Sequence, residues 1–399
     1  MKTIFRHLSA AAVLFAAVSS ASAQDDVIKL GQTMPYSGGA STYSIIGRAE
    51  IAYFKWLNDN GGVNGRKVEL ISLDDNWTPA KAIEQTRRLV EGEGVLAIVN
   101  SIGTAVNSAI MKYLNDRGVP QLFAGTGTGI FNQPDKNPWT IGFNPPYDAE
   151  GEVLAKYILE NVKDPKISIL WPNDDSGKDM LAGLKRGLGD KADEMIVNAQ
   201  NFSATDVSID AQILAGQAAG ANVQVTHALP KFAAQAIAKM YDINYKPLHL
   251  MTSVSATISG TLKPAGLDKS QGIITTFFLA DPSNAEFQKT EEYKKYKSIM
   301  DQYGDGLDSN ETWAAYGYVV AQIMEHVLKQ AGEDLSRENI MKQVRNFEVD
   351  PDMLLKGIVV RTSEADKKIA PLTALQIGRL EGESWVFVGD AIEAQPKAQ

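Results

Sequence analysis

The chain has 399 residues, with 39 Lys and Arg against 48 Asp and Glu, a formal charge of −9, and no cysteine. The lack of Cys excludes disulfides, thiolate zinc sites, iron–sulfur clusters and thiol catalysis together, and an acidic balance without a Lys/Arg-rich run argues against a nucleic-acid partner. A composition that is 44% hydrophobic and 22% charged is that of a folded globular chain, and its length suggests two domains.

The first 23 residues read as a secretory signal peptide. Lys2 and Arg6 form a basic start, the stretch from Leu8 to Ser20 is uncharged and mostly apolar, and Ala21-Ser22-Ala23 is a cleavage site. That run is shorter than the roughly 20 apolar residues a membrane-spanning helix needs, and no Cys follows it for lipid attachment. The expectation is cleavage after Ala23 and export of a soluble chain to the bacterial periplasm, without stable membrane insertion.

Hydrophobic spacing then predicts strands over 27–34, 68–73, 95–99 and 121–124. Between them lie helices over 45–58, from Thr78-Pro79 onward (an N-cap followed by Pro at the first helical position), and over 106–117. After the turn Asn144-Pro145-Pro146 the alternation restarts. Helices over 149–161, 178–188, 211–219 and 232–242 alternate with strands over 166–171, 195–199, 223–228 and 249–252. A further strand spans 272–279, the stretch 286–346 is almost wholly helical, and 354–392 reads as short strands and turns. Such alternation implies an α/β fold of two doubly wound units, joined by short crossovers such as 143–148. Two lobes on short hinges make a clamshell whose cleft lies at the C-terminal ends of the strands.

The run Gly125-Thr126-Gly127-Thr128-Gly129 follows a strand, but a dinucleotide fingerprint needs Gly where Ile130 stands and a helix opening within the motif. A loop offering backbone N–H groups and hydroxyls to a small anion fits better. Thr104 falls near a helix N-terminus, where free amides favour a carboxylate; a plain N-cap is the structural alternative. Among the histidines, His7 is in the signal peptide and His326 within a helix, leaving His227 and His249 at or near strands of the second unit. No G-x-S-x-G, H-E-x-x-H or P-loop is present, Asp74-Asp75 and Asp174-Asp175 fall in different units, and nothing demands an enzyme or a cofactor. Tyr43, Trp77, Tyr147 and Trp313 sit in loops or at element ends, where aromatic faces stack on organic ligands.

Several segments, in their order and spacing, resemble the leucine/isoleucine/valine-binding family of periplasmic solute-binding proteins. They are Ile28-Lys29-Leu30-Gly31 with Tyr36-Ser37-Gly38-Gly39, the run from Leu57 to Gly65, and Asp74-Asp75 before Thr78-Pro79. Gly118-Val119-Pro120, Tyr157-Ile158-Leu159 and the run from Asn173 to Lys178 complete the set, which spans essentially the whole mature chain. The resemblance implies a type I periplasmic binding protein fold with a three-crossing hinge. Residues 24–146 and about 280–355 would form the first lobe, and 147–279 with about 356–392 the second. It also implies an inner-membrane ABC permease as partner, and a monomer.

Carried over by position, the family's carboxylate site falls on Thr104, the Gly125 backbone and the Gly127–Thr128 turn, with Tyr43 as a cleft-wall aromatic. Ser176 stands where amino-acid binders have Tyr, and Ser253, Val254 and Ser255 occupy the place of the acid that pairs with the ligand ammonium. A buried ammonium without a carboxylate partner costs several kcal/mol, although Asp174, Asp175 or Glu311 can replace the acid from another loop. The preferred expectation is an aromatic carboxylate held by Thr104, Gly125, Thr126, Gly127 and Thr128, and sandwiched by Tyr43, Trp77 and Tyr147. Ser176, His227 and Ser253 would add polar contacts on closure. A branched-chain amino acid is the alternative ligand, and a sensory receptor of the same fold the alternative role.

Overall fold

In β1 (Ile28–Met34) every residue except Lys29 is buried, as a strand covered on both faces requires. The computed structural model describes residues 27–394; the signal peptide expected over 1–23 lies outside the described residues. After β1 come α1 (Ser44–Asp59), β2 (Val68–Asp74), α2 (Pro79–Arg87), β3 (Ala97–Val99), α3 (Thr104–Asp116), β4 (Gln121–Ala124) and β5 (Thr140–Gly142). The five strands form one parallel sheet in the order β2-β1-β3-β4-β5.

Residues 143–146 then lead into the second lobe. Its elements are α4 (Tyr147–Asn161), β6 (Ile167–Pro172), α5 (Asp175–Leu188), α6 (Ala192–Met195), β7 (Ile196–Phe202), α7 (Asp210–Ala218), β8 (Val223–Thr226), α8 (Pro230–Asp242), β9 (Leu248–Met251), α9 (Lys263–Ala265) and β10 (Ile274–Phe277). The chain goes back to the first lobe as α10 (Glu291–Tyr303), α11 (Thr312–Ala331), α12 (Arg337–Val344), β11 (Asn346–Val349) and β12 (Val360–Ser363). Finally β13 (Ala374–Glu381) and β14 (Ser384–Glu393) join the second sheet, antiparallel, in the order β14-β13-β10-β9-β8-β6-β7. No helix among the described residues is long and apolar enough to cross a membrane.

The two-lobe α/β architecture expected from the alternation is present. β12 pairs with β11, and the Phe347 ring of β11 meets Phe123 of β4 at 6.0 Å. β12 thus belongs to a separate two-stranded sheet with β11, and the chain joins the second sheet at β13. β5 and β11 escape the periodicity because three or four residues carry too few repeats. In the tail the structure has a hairpin of eight- and ten-residue strands where short strands were expected. β14 is largely exposed, so its residues lack a clean apolar face.

Two packing features place the cleft. α11 lies directly on α1, where a Cβ at Gly317 would come 2.4 Å from the Ile46 carbonyl oxygen. α4 and α5 meet backbone to backbone: a Cβ at Gly183 would lie 1.9 Å from the Asp148 carbonyl, one at Gly151 2.6 Å from the Leu184 nitrogen, and one at Gly187 2.6 Å from the Ala155 Cβ. The crossings run side by side, with Ala280 N–H donating to the Met353 carbonyl (2.9 Å) and Leu355 N–H to that of Phe278 (3.0 Å).

Candidate functional site

A cavity of about 260 Å³ lies between the lobes. The lobes touch around it: the Tyr43 hydroxyl donates to the Val254 carbonyl at 3.4 Å, Gly129 N–H to Asp179 Oδ2 at 2.9 Å, and Ser259 Oγ to Glu311. One wall is aromatic. Tyr43 closes a short 3₁₀ turn before α1, and its ring packs edge-on against Trp313 (centroids 4.9 Å, 75°) and stacks with Trp77 (5.8 Å, 28°). Burial pushes the Tyr43 hydroxyl far above its ordinary pKa, so it remains a neutral donor.

Trp77 sits on a turn between β2 and α2 in which Asn76 (φ 50°) and Trp77 (φ 57°) are both left-handed. For side chains larger than glycine each such residue costs on the order of 1–3 kcal/mol. The Trp77 N–H donates to Asp75 Oδ1 at 2.8 Å. Its indole lies against Gly103, where a Cβ would come 2.4 Å from Cη2; with φ at 104°, Gly103 is glycine for both reasons.

Gly103 is the N-cap residue of α3 and has no side chain to satisfy the helix's first amides. Gly103, Thr104 and Ala105 all line the cavity, so the positive end of the helix dipole meets it. Thr104 Oγ1 lies 2.7 Å from Thr126 Oγ1 and 3.1 Å from Thr128 Oγ1, which are themselves 3.1 Å apart. Thr126, Gly127 and Thr128 are therefore brought to Thr104 but lie outside the cavity wall. Gly125 is on the wall, yet its N–H donates to the Ser101 carbonyl (2.9 Å) and its carbonyl accepts from Gly103 (3.2 Å). The expected backbone donation by Gly125 is corrected accordingly: those groups extend the sheet, and the free amides belong to α3. Gly127 allows close approach to the crossing, since a Cβ there would lie 2.3 Å from the Pro145 carbonyl oxygen.

From the second lobe, Tyr147 opens α4 and meets the His227 ring at 4.7 Å. His227 Nδ1 lies 2.9 Å from Thr252 Oγ1, and burial pushes the imidazole down to about 4 against the opposing pull of Asp174. His227 is thus neutral at pH 7, with hydrogen-bonding capacity but no charge. Its fellow His249 is bonded to Thr226 Oγ1 at 2.9 Å and takes no part in the cavity wall.

Of the three acids considered as ammonium partners, only Asp174 lines the cavity. It caps α5, its Oδ1 accepting from Ser176 N–H (3.0 Å), Gly177 N–H (3.2 Å) and Ser176 Oγ (2.5 Å). This capping starts α5 at Asp175, three residues before the helix expected from residue 178. Asp175 pairs with Lys178 on the surface (3.0 Å), and Glu311 is held by Ser259. Ser253 also departs from expectation. Its N–H donates to Glu150 Oε1 at 2.6 Å, it lies off the main cavity, and Val254 faces the cleft in its place.

Phe202, Asn144 and Tyr316 line the cavity without having been singled out in the sequence. Phe202 ends β7 at the strand end where ligands bind, a signal that was available. Tyr316 lies within the apolar α11 and reads as core; its hydroxyl donates to Asn144 Oδ1 at 2.6 Å. Beneath it Asn100 Nδ2 donates to Glu50 at 2.6 Å, Gln32 bonds the other oxygen, and burial pushes the Glu50 carboxyl up to about 8. Among the described residues there is no group of three or more His, Asp or Glu placed to hold a metal ion.

A family profile described as periplasmic binding protein matches residues 27–382. Leu/Ile/Val-binding protein homolog 1 of Brucella abortus is 24% identical over 346 residues, covering 84% of this chain and 86% of that protein. A branched-chain amino acid ABC transporter protein of Thermus thermophilus, solved with bound valine, superposes with a TM-score of 0.81 at 17% identity, covering 93% of this chain and 97% of the other. A solute-binding protein of an ABC transporter from R. palustris, solved with 4-hydroxybenzoate, gives 0.77 at 16% identity, covering 94% and 99%.

Proposed function

Because the chain belongs to the periplasmic binding protein family, whose members bind solutes, we propose that it captures a small organic carboxylate between its lobes and hands it to an inner-membrane ABC permease. One observation carries this reading: the uncapped start of α3, with Thr104, opens into a cavity walled by Tyr43, Trp77 and Tyr147. Helix amides and a hydroxyl favour an anion, and aromatic faces favour a flat apolar body. Ligand contacts to both lobes stabilise the closed arrangement and so distinguish loaded from empty receptor.

The favoured ligand is an aromatic acid. Asp174 Oδ1 already accepts three hydrogen bonds, and the turn after β9 presents Val254 where an ammonium would need an acid. Neutral His227 and Ser176 then serve the far end of the ligand. A branched-chain amino acid is the second reading, and the Asp174 carboxylate on the cavity wall is the observation that favours it. Binding without turnover is supported by the family, whose members bind solutes, and is in keeping with His227, whose Nδ1 partner is the Thr252 hydroxyl. The protein acts as a periplasmic monomer in this reading, exported by its leader.

Calorimetric titration of mature protein, unfolded and refolded to strip bound ligand, tests the proposal with benzoate, 4-hydroxybenzoate, leucine, valine and a short fatty acid. Micromolar or tighter binding of an aromatic acid with leucine silent is expected. Tight leucine binding would assign the ammonium to Asp174, and silence across the panel would sink the carboxylate reading.

A further inference from the structure

The turn from Asp74 to Thr78 is built more expensively than the start of α2 requires. α2 has Pro79 at its first position, and Thr78 hydrogen-bonds the Asp75 carbonyl through its own backbone and hydroxyl (2.9 and 3.1 Å). The Asp75 side chain is not needed for that start. It is nevertheless fully buried, and its Oδ2 has no hydrogen-bond partner. The nearby Lys81 is spent on Asp74 (3.0 Å), and the Thr33 hydroxyl is turned to Ser101 Oγ (3.1 Å). Two left-handed residues follow, Asn76 and Trp77. Buried charge and backbone strain persist where the surroundings impose them, and they gather at sites of function.

What this arrangement achieves is the placement of one side chain. Asp75 Oδ1 accepts the Trp77 N–H, and the six-membered ring of the indole is set on Gly103, the N-cap of α3. We propose that Asp75 is a positioning residue for the ligand site: it holds the Trp77 indole as a cover over the α3 N-terminus, so that a bound carboxylate meets the helix amides shielded from water. Shielding raises the strength of a charge–dipole interaction and removes its sensitivity to salt. Burial pushes the Asp75 carboxyl up to about 6, opposed by the Trp77 amide, the neighbouring Thr33 hydroxyl and Lys81, which agrees with a group retained at a cost. The inference rests on the carboxylate reading above, and adds that the aromatic wall also determines how strongly the anion is held.

The test combines Asp75→Ala, Trp77→Phe and the double variant, with benzoate as the probe. Asp75→Ala is expected to weaken benzoate by about tenfold, the loss of one hydrogen bond to a charged acceptor, and to make the dissociation constant rise with salt where the wild type is nearly flat. In the double variant the loss is no larger than in Trp77→Phe alone, because Asp75 acts through the indole. Asp75→Asn, which keeps an acceptor oxygen, restores the wild-type values. Acrylamide quenching, with Trp77→Phe subtracted, reads the indole directly: it becomes accessible in Asp75→Ala and stays protected in Asp75→Asn. Should Asp75→Ala fail to fold, Asp75→Leu fills the same space without an acceptor and carries the same comparison. Additive losses, or unchanged quenching in the variant lacking an acceptor, overturn the positioning role. If no carboxylate binds even the wild type, the carboxylate reading fails on its own and the quenching result still decides where Asp75 puts Trp77.

Discussion

Glu311, at the N-terminus of α11 in the first lobe, accepts a hydrogen bond from the hydroxyl of Ser259 in the second. Neither residue lines the cavity, and the bond exists only while the lobes are together. Removing it therefore shifts the open–closed equilibrium without touching ligand contacts. Ser259→Ala is expected to weaken all ligands by a common factor of about tenfold, chiefly through faster dissociation. Stopped-flow release of two chemically different ligands checks this, and a change confined to one of them contradicts it.

Thr104 is the hydroxyl on which Thr126 and Thr128 converge. Thr104→Val keeps the volume and removes the donor, so benzoate binding is expected to fall by about ten- to a hundredfold, the range for a hydrogen bond to a charged group. The neutral analogue benzamide is expected to lose less. Calorimetry on both compounds separates an anion contact from a packing defect.

Asp174→Asn separates the two ligand classes. Asn caps a helix about as well as Asp, so α5 keeps its start while the cavity loses a negative charge. Aromatic acid binding is expected to hold or improve, and any leucine binding to disappear. Loss of benzoate affinity in a variant with unchanged melting temperature would count against the aromatic reading.

Two buried groups make stability depend on pH in opposite directions. Glu50 has its folded pKa raised to about 8 by burial, so the folded state holds its proton more tightly than the unfolded chain does. Stability is lost as pH rises from about 4.5 to about 8. His227 has its folded pKa lowered to about 4, and its contribution is lost as pH falls from about 6.5 towards 4. Thermal melts at pH 5, 6.5 and 8 are expected to show Glu50→Gln gaining on the wild type as pH rises. His227→Gln is expected to gain as pH falls. Parallel curves for variant and wild type would show that the group does not titrate as its burial implies.

Much of this architecture is visible in the amino acids themselves. Thr78-Pro79 announces α2, the alternation of short apolar runs with helical spacing announces two parallel sheets, and loop aromatics such as Tyr43 and Trp77 do reach the cleft. Gly125 misleads because its expected role needed a free N–H, which the Ser101 carbonyl takes. Ser253 misleads because the polar contact expected of it lies off the cavity, with its N–H held by the Glu150 carboxylate. Both partners are set by tertiary folding, which no local pattern encodes. Tyr316 is concealed differently. An aromatic residue inside an apolar element looks the same whether its outer face meets another helix or a cleft, and only the apposition of two lobes tells them apart.

The contact between α4 and α5 has a consequence for how such a receptor changes its diet. Gly151, Gly183 and Gly187 let the two helices approach almost main chain to main chain, with Arg186 bridging to Asp148 and Glu152 across the contact, so their starting points, which carry Tyr147 and Ser176 beside the capping Asp174, are held at one spacing. Exchanging any of the three lining residues alters what the cleft recognises and leaves the frame untouched, whereas a methyl group at Gly183 would force the helices apart and displace all three together. A lineage can accordingly drift from one nutrient to another by single replacements on the cavity wall, while the glycines beneath it are closed to change.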